Sequence, residues 1–543
     1  MKGKQEFDKK RGRRRPRTLV GMVFRSPYPD VEVPDLPLAD FVLGQAAARG
    51  SRPALVDGPT GRTLTYSDLA GAVRAAAANL ARRGFGKGDV MAIYSPNLPE
   101  YAIAFHAVAT LGGVVTTANP LATARELGQQ LADSGASVLL TVAPLLATAR
   151  EAARQAPVRE IIVFGEAEGV TPFSALLEEN GPPPAVSIDP SKDLVALPYS
   201  SGTTGLPKGV MLTHRNLVAN VAQVSPFLPG GEGERAIAVL PFYHIYGLTV
   251  LLNMGLWQGV ALVTMPRFDL EGFLSVIQEQ RITRAYLVPP IVLALAKHPL
   301  VDRYDLSSLV SINSGAAPLD ASVEQACAQR IGCFTAQGYG LTETSPVVSA
   351  TPVDEARLRP GSAGLLIPNT EACVVDPMTG SQRGPGEPGE IWVRGPQNMK
   401  GYLNDPGATA AMITLEGWLR TGDIGSIDAE GYLRIVDRLK ELIKYKGLQV
   451  APAELEGLLL AHPAVQDAAV IPHPDPEAGE LPKAFVVLKG PATPQELMEF
   501  VNRQVSTYKK IRLLETVDQI PRSPAGKILR RLLIERERTA VAR

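Results

Sequence analysis

The chain has 543 residues and carries no net charge, because 55 lysines and arginines balance 55 aspartates and glutamates. This balance argues against nucleic acid as a partner, and 45% apolar with 20% charged residues excludes a disordered or fibrous protein. The length predicts two or more domains. The three cysteines form no CxxC pair and no metal-ligand spacing, which favours a reducing, cytoplasmic setting.

The first 21 residues depart from this neutrality. Residues 9–17, KKRGRRRPR, form a dense basic run, and Arg25, Pro27 and Pro29 interrupt the apolar segment that a secretory signal would need. We expect residues 1–21 to be a disordered basic extension, with Met22 as a candidate natural start.

From residue 22 onward, helical and strand-like segments alternate, as in an α/β protein. Residues 64–84 predict an alanine-rich helix that begins after Ser67 as the N-cap and stops at Gly84. A strand is predicted over 90–95, and the same pairing of helix and strand recurs over 101–119 and 273–290.

Residues 199–210 read YSSGTTGLPKGV, between a predicted strand and a strand that leads into a helix near His214. Glycines let a backbone turn tightly and present N–H groups to an anion, and Lys208 adds a positive charge. Lys208 is followed by glycine, whereas a P-loop has serine or threonine there. The segment therefore predicts a phosphate-binding loop of another kind.

Residues 236–266 contain no Asp, Glu, Lys or Arg and are long enough to span a bilayer. Pro241, His244, Asn253 and several glycines break this stretch, which predicts a strand, a loop, a helix and a second strand. We interpret it as buried interior lining a pocket, and we expect no transmembrane segment.

The pattern changes after residue 437. A helix is predicted from Pro452, two strands follow, Thr493 caps a further helix, and the last helix is predicted to start after Gly526. These short elements predict a small α+β domain. Its junction with the preceding part, 435–447, is dense in charge and has no apolar periodicity.

Four further stretches suit a single nucleotide ligand. SGAAPL (314–319) would let a flat ring lie against the backbone, and QGYGLTE (337–343) offers an aromatic ring, a hydroxyl and a carboxylate. WLRTGD (418–423) ends in a carboxylate suited to ribose hydroxyls. PRSPAGKILRR (521–531) places Lys527 at a predicted helix start.

Together these motifs resemble the adenylate-forming superfamily of acyl-CoA synthetases, luciferases and adenylation domains. The resemblance runs from about Val23 onward, and residues 23–31, 240–248 and 436–456 are most similar to a bacterial 4-coumarate:CoA ligase. It implies a large multi-layer α/β N-terminal domain over 22–437. A small mobile α+β C-terminal domain would follow over 438–543, with a hinge near Lys440.

The resemblance also implies a reaction in two steps. A carboxylate attacks the α-phosphate of ATP and releases pyrophosphate, and the thiol of coenzyme A then attacks the acyl-AMP. The implied cofactors are ATP, Mg²⁺ and coenzyme A as co-substrate.

Residue roles follow by match to the family motifs. The β- and γ-phosphates would be held by Ser200, Ser201, Gly202, Thr203, Thr204 and Lys208. The adenine site would be lined by Gly315, Ala316, Gln337, Gly338 and Tyr339, and the ribose fixed by Asp423 and Arg438. Thr342 would contact the α-phosphate, Glu343 would bind Mg²⁺, and Lys527 would bridge the attacking carboxylate and the α-phosphate.

The second step and the acyl pocket are implied in the same way. Thioester formation and coenzyme A binding would use Lys444, Lys446 and Gly447, after rotation about Lys440. Arg267 stands where plant ligases carry a lysine associated with coenzyme A. His244 would gate the acyl pocket, and Tyr246, Gly247, Gly315, Val347 and Val348 would line it.

Several alternatives stay open at this point. The acid could be a hydroxycinnamate or cinnamate, or a medium- or long-chain fatty acid, and the acceptor could be a carrier protein. A regulatory protein that binds acyl-adenylate is the non-enzymatic alternative. His244 could be a core histidine, Glu343 could pair with a lysine, and the 438–446 charges could be a solvated face. A monomer or weak homodimer is expected.

Overall fold

The computed structural model describes residues 22–179, 181–200, 207–439, 441–445, 448–475, 477–505, 507–523 and 526–541. The basic extension 1–21 lies outside the described residues. So do several predicted site residues: Ser201, Gly202, Thr203, Thr204, Lys440, Lys446 and Gly447.

One large sheet has a parallel centre, in which Val90–Tyr94 lies between Val114–Ala118 and Ala136–Val142. These central strands are almost wholly buried, as expected when helices cover both faces. The described strands run, in spatial order, Tyr199–Ser200, Lys208–Thr213, Leu194–Ala196, Val114–Ala118, Val90–Tyr94, Ala136–Val142, Glu160–Phe164 and Thr171–Pro172, and Gly401–Tyr402 pairs with Lys208–Thr213.

The second large sheet brings the adenine and acyl motifs side by side, because Arg284–Leu287, Ser311–Ser314 and Phe334–Gly340 are consecutive parallel neighbours. Its described strands run in the order Leu365–Leu366, Val347–Ala350, Phe334–Gly340, Ser311–Ser314, Arg284–Leu287, Arg235–Ala238, Ala261–Thr264, Pro53–Asp57 and Thr63–Thr65. SGAAPL thus begins at the carboxyl end of one strand, beside the strand that carries Gln337.

A third, antiparallel sheet carries Asp423 and Arg438 opposite each other on adjacent strands. Its described strands are Phe24–Arg25, Glu371–Val375, Gly389–Arg394, Leu419–Ile427 and Leu433–Arg438.

Helices cover these sheets. In the described part of the large region they are Leu38–Leu43, Ala46–Arg49, Tyr66–Arg82, Pro99–Thr110, Ala124–Ser134, Leu146–Ala153, His214–Val224, Met254–Gln258, Leu270–Glu279, Pro289–Lys297, Ala321–Ile331 and Pro406–Met412. Short 3-10 turns occupy Ala143–Leu145, Phe173–Leu176, Pro299–Arg303, Thr342–Thr344 and Glu355–Arg357, and Gly247–Asn253 forms a π-helical segment.

The C-terminal part has a sheet and an apolar core of its own. Its described strands are Ile443–Tyr445, Leu448–Val450, Val465–Asp475, Gly479–Leu488 and Leu513–Thr516. Its helices are Pro452–Ala461, Pro494–Asn502 and Arg530–Val541, with a 3-10 turn over Thr507–Lys509. Ile443, Leu455 and Val486 belong to a core distinct from the large one. The boundary at 437 and the hinge near Lys440 stay predictions.

The sequence predicted the N-cap residue of one helix correctly and that of another wrongly. The box of Thr493 and Glu496 is present as predicted. The N-cap of Tyr66–Arg82 is Thr65, not Ser67, because Asp68 bonds the Thr65 backbone while the Thr65 hydroxyl accepts from the Asp68 amide.

The apolar stretch 236–266 folds as predicted, as Arg235–Ala238, a loop, the π-helical and α-helical segments, and Ala261–Thr264. Most of its side chains are buried in the large core. Among the described residues, no helix combines the length and the apolar character needed to cross a bilayer.

Candidate active site

The phosphate segment lies in the predicted context of strand, loop, strand and helix. Ser200 pairs with Lys208 across the two short strands, and the connection between them lies outside the described residues. The Lys208 Nζ is 3.3 Å from Asp405 Oδ2 and 5.3 Å from the centre of the Tyr402 ring. Lys208 is thus held by Asp405 and Tyr402 at the first position of the strand Lys208–Thr213.

Glu343 is a buried carboxylate that contacts Ser200. Its Oε1 accepts from the hydroxyl of Tyr402 at 2.8 Å and from that of Ser200 at 3.1 Å. No described lysine pairs with it, so the alternative that Glu343 is a lysine partner is wrong for the part of the chain that the structure describes. No described group donates to Oε2, which leaves that oxygen for another ligand.

Asp423 and Arg438 form the predicted pair, with Arg438 Nε 3.3 Å from Asp423 Oδ1. The phenol of Tyr339 donates to Asp423 Oδ2 at 2.6 Å. Burial raises the pKa of Asp423, and the charge of Arg438 and the Tyr339 hydrogen bond oppose that rise. The carboxylate is therefore oriented by an ion pair at one oxygen and a hydrogen bond at the other.

Lys527 reaches this pair from the C-terminal part. Burial lowers its pKa, and so does the neighbouring charge of Arg438, while Glu441 and Asp423 act in the opposite direction. Its Nζ lies 4.0 Å from Glu441 Oε1. Asp423 also interacts electrostatically with Lys527 and Glu343, so the predicted catalytic and metal residues lie near the ribose pair.

The prediction that Lys527 starts the last helix is wrong. The helix begins at Arg530. Lys527 precedes it in a turn, where the Lys527 carbonyl accepts from the Ser523 amide at 2.7 Å. Gly526, with φ of 77°, packs against Val288, since a Cβ there would lie 3.2 Å from Cγ2 of that valine. Gly526 therefore brings the turn that carries Lys527 into contact with the large region.

The adenine motif is shaped by close backbone packing. A Cβ at Gly338 would lie 2.9 Å from the Ser349 carbonyl oxygen, so only glycine fits without movement. Ala316 has φ of 71°, a left-handed conformation that a residue with a side chain adopts at a cost. The amide of Gln337 bonds the backbone of Leu319, so its side chain organises the 314–319 loop.

The acyl motif brings Tyr246 onto Gly315. A Cβ at Gly315 would lie 2.8 Å from Tyr246 Cε1, and the Tyr246 hydroxyl donates to the Asn313 carbonyl at 3.1 Å. His244 Nδ1 accepts from the Tyr246 amide at 3.3 Å, and burial lowers the pKa of His244 to about 4. The imidazole is therefore neutral at pH 7.

The other predicted pocket residues, Gly247, Val347 and Val348, are also buried. Gly247 packs against the carbonyl of Pro241, which accounts for its lack of a side chain. Val347 and Val348 are both buried on one strand. Because successive strand residues project to opposite faces, at most one of these valines faces a given pocket.

Two of the residues predicted to serve coenzyme A, Arg267 and Lys444, lie within the described part of the chain, and both are exposed. Arg267 is exposed in the turn after Ala261–Thr264, and Lys444 is exposed on the small sheet, with its amide bonded to Glu480 at 2.7 Å. Thr342 is half-buried beside Glu343 in the 3-10 turn Thr342–Thr344.

Tyr402 and Asp405 were missed by sequence reasoning. Asp405 precedes Pro406 and caps the helix Pro406–Met412, a signal that the order Asp-Pro gives. Tyr402 carries no local signal, because it reaches Glu343 only through the pairing of Gly401–Tyr402 with Lys208–Thr213.

Family models match most of the chain. Residues 43–403 match the AMP-binding enzyme model, and residues 454–527 match its C-terminal domain. The chain belongs to the AMP-binding enzyme family. This confirms the predicted adenylate-forming fold, with a large N-terminal and a small C-terminal domain.

Relatives of this family are similar over nearly full length. A 4-coumarate–CoA ligase of Oryza sativa subsp. japonica is 45% identical over 94% of both chains. An ATP-bound structure of MatB from Rhodopseudomonas palustris gives a TM-score of 0.83 at 28% identity, covering 92% of this chain and 98% of that one. The anthranilate CoA ligase AuaEII with anthranoyl-AMP gives 0.87 at 26%, covering 94% and 99%. Together these matches confirm the predicted class, an AMP-forming acid–CoA ligase.

Proposed function

We propose that this ligase activates a hydroxycinnamate- or cinnamate-like acid as its acyl-AMP and transfers the acyl group to coenzyme A. The observation that carries the proposal is the proximity of Lys527, from the C-terminal part, to Asp423 and Arg438, with Glu343 close enough to act on Asp423. The 45% identity to a 4-coumarate–CoA ligase supports the choice of acid.

In the first step, a carboxylate oxygen of the acid bonds to the α-phosphorus while the bond to pyrophosphate breaks. The substrates are both anionic, so their approach needs positive charge at the point of attack. Lys527, on a turn pressed against the large region, would supply it, and Thr342 would contact the α-phosphate. Asp423 would accept the ribose hydroxyls, because Tyr339 and Arg438 hold its two oxygens in place.

The phosphate end of ATP would lie along Ser200, Lys208 and the intervening loop. The residues present fit a Mg²⁺ ion, because Oε2 of Glu343 accepts from no group in the described part of the chain, while Oε1 accepts from Ser200 and Tyr402. No described cluster of three or more His, Cys, Asp or Glu residues could bind a metal by itself, and Mg²⁺ commonly takes one carboxylate plus substrate phosphates. The ion would neutralise charge on the phosphates, with Glu343 as its protein ligand.

The acid would lie against Tyr246 and Gly315. The Tyr246 ring packs directly on Gly315, so this glycine sets the position of an aromatic ring against which a planar aromatic acid would stack. His244 is neutral, so it adds no charge to this pocket. We propose Gly247 and one of Val347 and Val348 as further lining residues, with Ala316 and Gln337 on the adenine side.

In the second step, the thiol sulfur of coenzyme A bonds to the acyl carbon and AMP leaves. Lys444 is exposed, with its amide bonded to Glu480, in the arrangement in which Lys527 lies near Asp423 and Arg438. We therefore propose that the C-terminal part, from about residue 438, turns about Lys440. Lys444, Lys446 and Gly447 would then approach the acyl-AMP, and Arg267 would hold coenzyme A.

The test measures pyrophosphate release by the full chain with 4-coumarate, cinnamate, hexanoate and palmitate, with and without coenzyme A. Mass spectrometry detects the thioester. The proposal expects release with the aromatic acids and a CoA thioester only when coenzyme A is present. Preference for a fatty acid would replace the substrate, release without thioester would replace the acceptor, and no release with any acid would favour an acyl-adenylate-binding protein.

A further inference from the structure

Glu324 is a buried carboxylate that the proposed reaction does not use. It lies on the helix Ala321–Ile331 with 2% of its surface exposed. Its Oε2 accepts from Gln337 Nε2 at 2.7 Å and from the Gly361 amide at 3.2 Å. None of the ion pairs formed by the described residues includes Glu324, so its burial is not offset by a cation.

Gln337 transmits this contact to the adenine motif. Its Oε1 accepts from the Leu319 amide at 3.1 Å, and its Nε2 donates to the Leu319 carbonyl at 3.0 Å. The second hydrogen of Nε2 is the one donated to Glu324. Every polar hydrogen of this side chain is therefore committed, either to Glu324 or to the end of the 314–319 loop.

The 314–319 loop needs such support. Ala316 adopts a left-handed conformation, which persists only where the surroundings hold it. The Gly361 amide ties the loop that follows Val347–Ala350 to the same carboxylate oxygen. One oxygen of Glu324 thus joins the strand that carries Gln337 to the segment that contains Gly361.

We propose that Glu324 is a positioning residue for nucleotide binding, which holds Gln337 and, through it, the 314–319 loop against the adenine ring. The inference rests on the proposed adenine site and adds to it a residue that does not touch the nucleotide. It requires that loss of the carboxylate weaken ATP binding more than it weakens binding of the acid.

The charge of Glu324 changes near neutral pH. Burial raises its pKa to about 7, Asp320 at the start of the same helix adds to the rise, and the bonds from Gly361 and Gln337 oppose it. The groups that face it from the neighbouring strand and loop, Gln337 and the Gly361 amide, are uncharged. An ionised acceptor makes stronger hydrogen bonds, so the bonds from Gln337 and the Gly361 amide to Glu324 should strengthen as pH rises through 7.

The test compares ATP binding by calorimetry, without acid, for the wild type, Glu324→Gln, Glu324→Ala and the control Gln325→Ala, an exposed position on the same helix. We expect Glu324→Ala to weaken ATP binding at least tenfold and Gln325→Ala to leave it unchanged. Glu324→Gln keeps an acceptor oxygen and cannot ionise. The affinity ratio of wild type to Glu324→Gln should therefore rise severalfold between pH 6 and pH 8.5, and titration of ATP cancels in that ratio.

A ratio that is flat over this range, or wild-type ATP affinity in Glu324→Ala, would overturn the inference. If Glu324→Ala does not fold, the pH dependence of the Glu324→Gln ratio decides alone. The KM for the acid, measured in the same variants, should change less than twofold. A wild type that binds ATP but forms no thioester would count against the proposed function and leave this inference standing.

Discussion

The hydroxyl of Tyr402 donates to Oε1 of Glu343 at 2.8 Å, while the ring of the same tyrosine lies 5.3 Å from the ammonium of Lys208. One side chain therefore links the proposed metal carboxylate to the phosphate-loop lysine. Hydrogen bonds to charged groups contribute about 1.5–3 kcal/mol, so this link should matter for both orientation and stability.

Tyr402→Phe should keep the ring contact with Lys208 and remove one of the two donors to Glu343 that the described residues supply. We expect the KM for ATP at fixed Mg²⁺ to rise about 3- to 10-fold, because the carboxylate loses its fixed orientation. Initial rates over an ATP titration measure the effect. Tyr432→Phe is the matched control, since Tyr432 also donates its hydroxyl, to the Arg357 carbonyl, and lies beside an arginine. Equal ATP kinetics in the two variants would contradict the assignment.

Lys527→Ala should separate the two half-reactions. Adenylation should fall by about 10²-fold or more, because the charge beside Asp423 and Arg438 is lost. Thioester formation from supplied acyl-AMP should be largely retained, since Lys527 would have left the site by then. Pyrophosphate release and thioester yield are measured separately, with Lys510→Ala as a control in the same domain. Equal loss of both steps would refute this division of labour.

Tyr339→Phe should change the pH dependence of ATP use. The Tyr339 hydrogen bond lowers the pKa of Asp423 against the effect of burial, so its loss should raise that pKa. Asp423 must be ionised to pair with Arg438 and accept ribose hydroxyls. The acid limb of the kcat/KM profile for ATP should therefore move to higher pH. Tyr304→Phe, which alters a half-buried tyrosine bonded to Glu271, should leave the profile in place. A profile of Tyr339→Phe that matches the wild type would argue against Asp423 as the titrating group.

Gly315→Ala should impair bulky acids selectively. The new Cβ would lie 2.8 Å from Tyr246 Cε1 and would force the ring to move. We expect kcat/KM for 4-coumarate to fall about tenfold more than that for butyrate, since changes of about 1–3 kcal/mol are usual when a pocket loses space of this size. Gly71→Ala is the control, because nothing lies within 4 Å of a Cβ there. Parallel losses for the two acids would place the acyl site elsewhere.

Local chemistry in the sequence predicted much of this molecule. The Thr493 box, the helix at Pro452 and the broken apolar stretch 236–266 each depend on residues a few positions apart, so they can be derived before any long-range contact is known. The prediction of Ser67 as an N-cap was wrong although it is equally local, because Thr65 and Asp68 each bond the other's backbone amide and so cap the helix two residues earlier.

The nucleotide motifs identified the family, since several stretches in one order suit a single ligand, and the family matches agree with them. Their roles in the reaction stay predictions. Only the tertiary structure showed that Tyr402 bonds Glu343 and that Glu324 bonds Gln337. It also placed Lys527 in a turn before the last helix rather than at the helix start. These contacts join residues on different strands and domains, and no local propensity determines which distant strands pair.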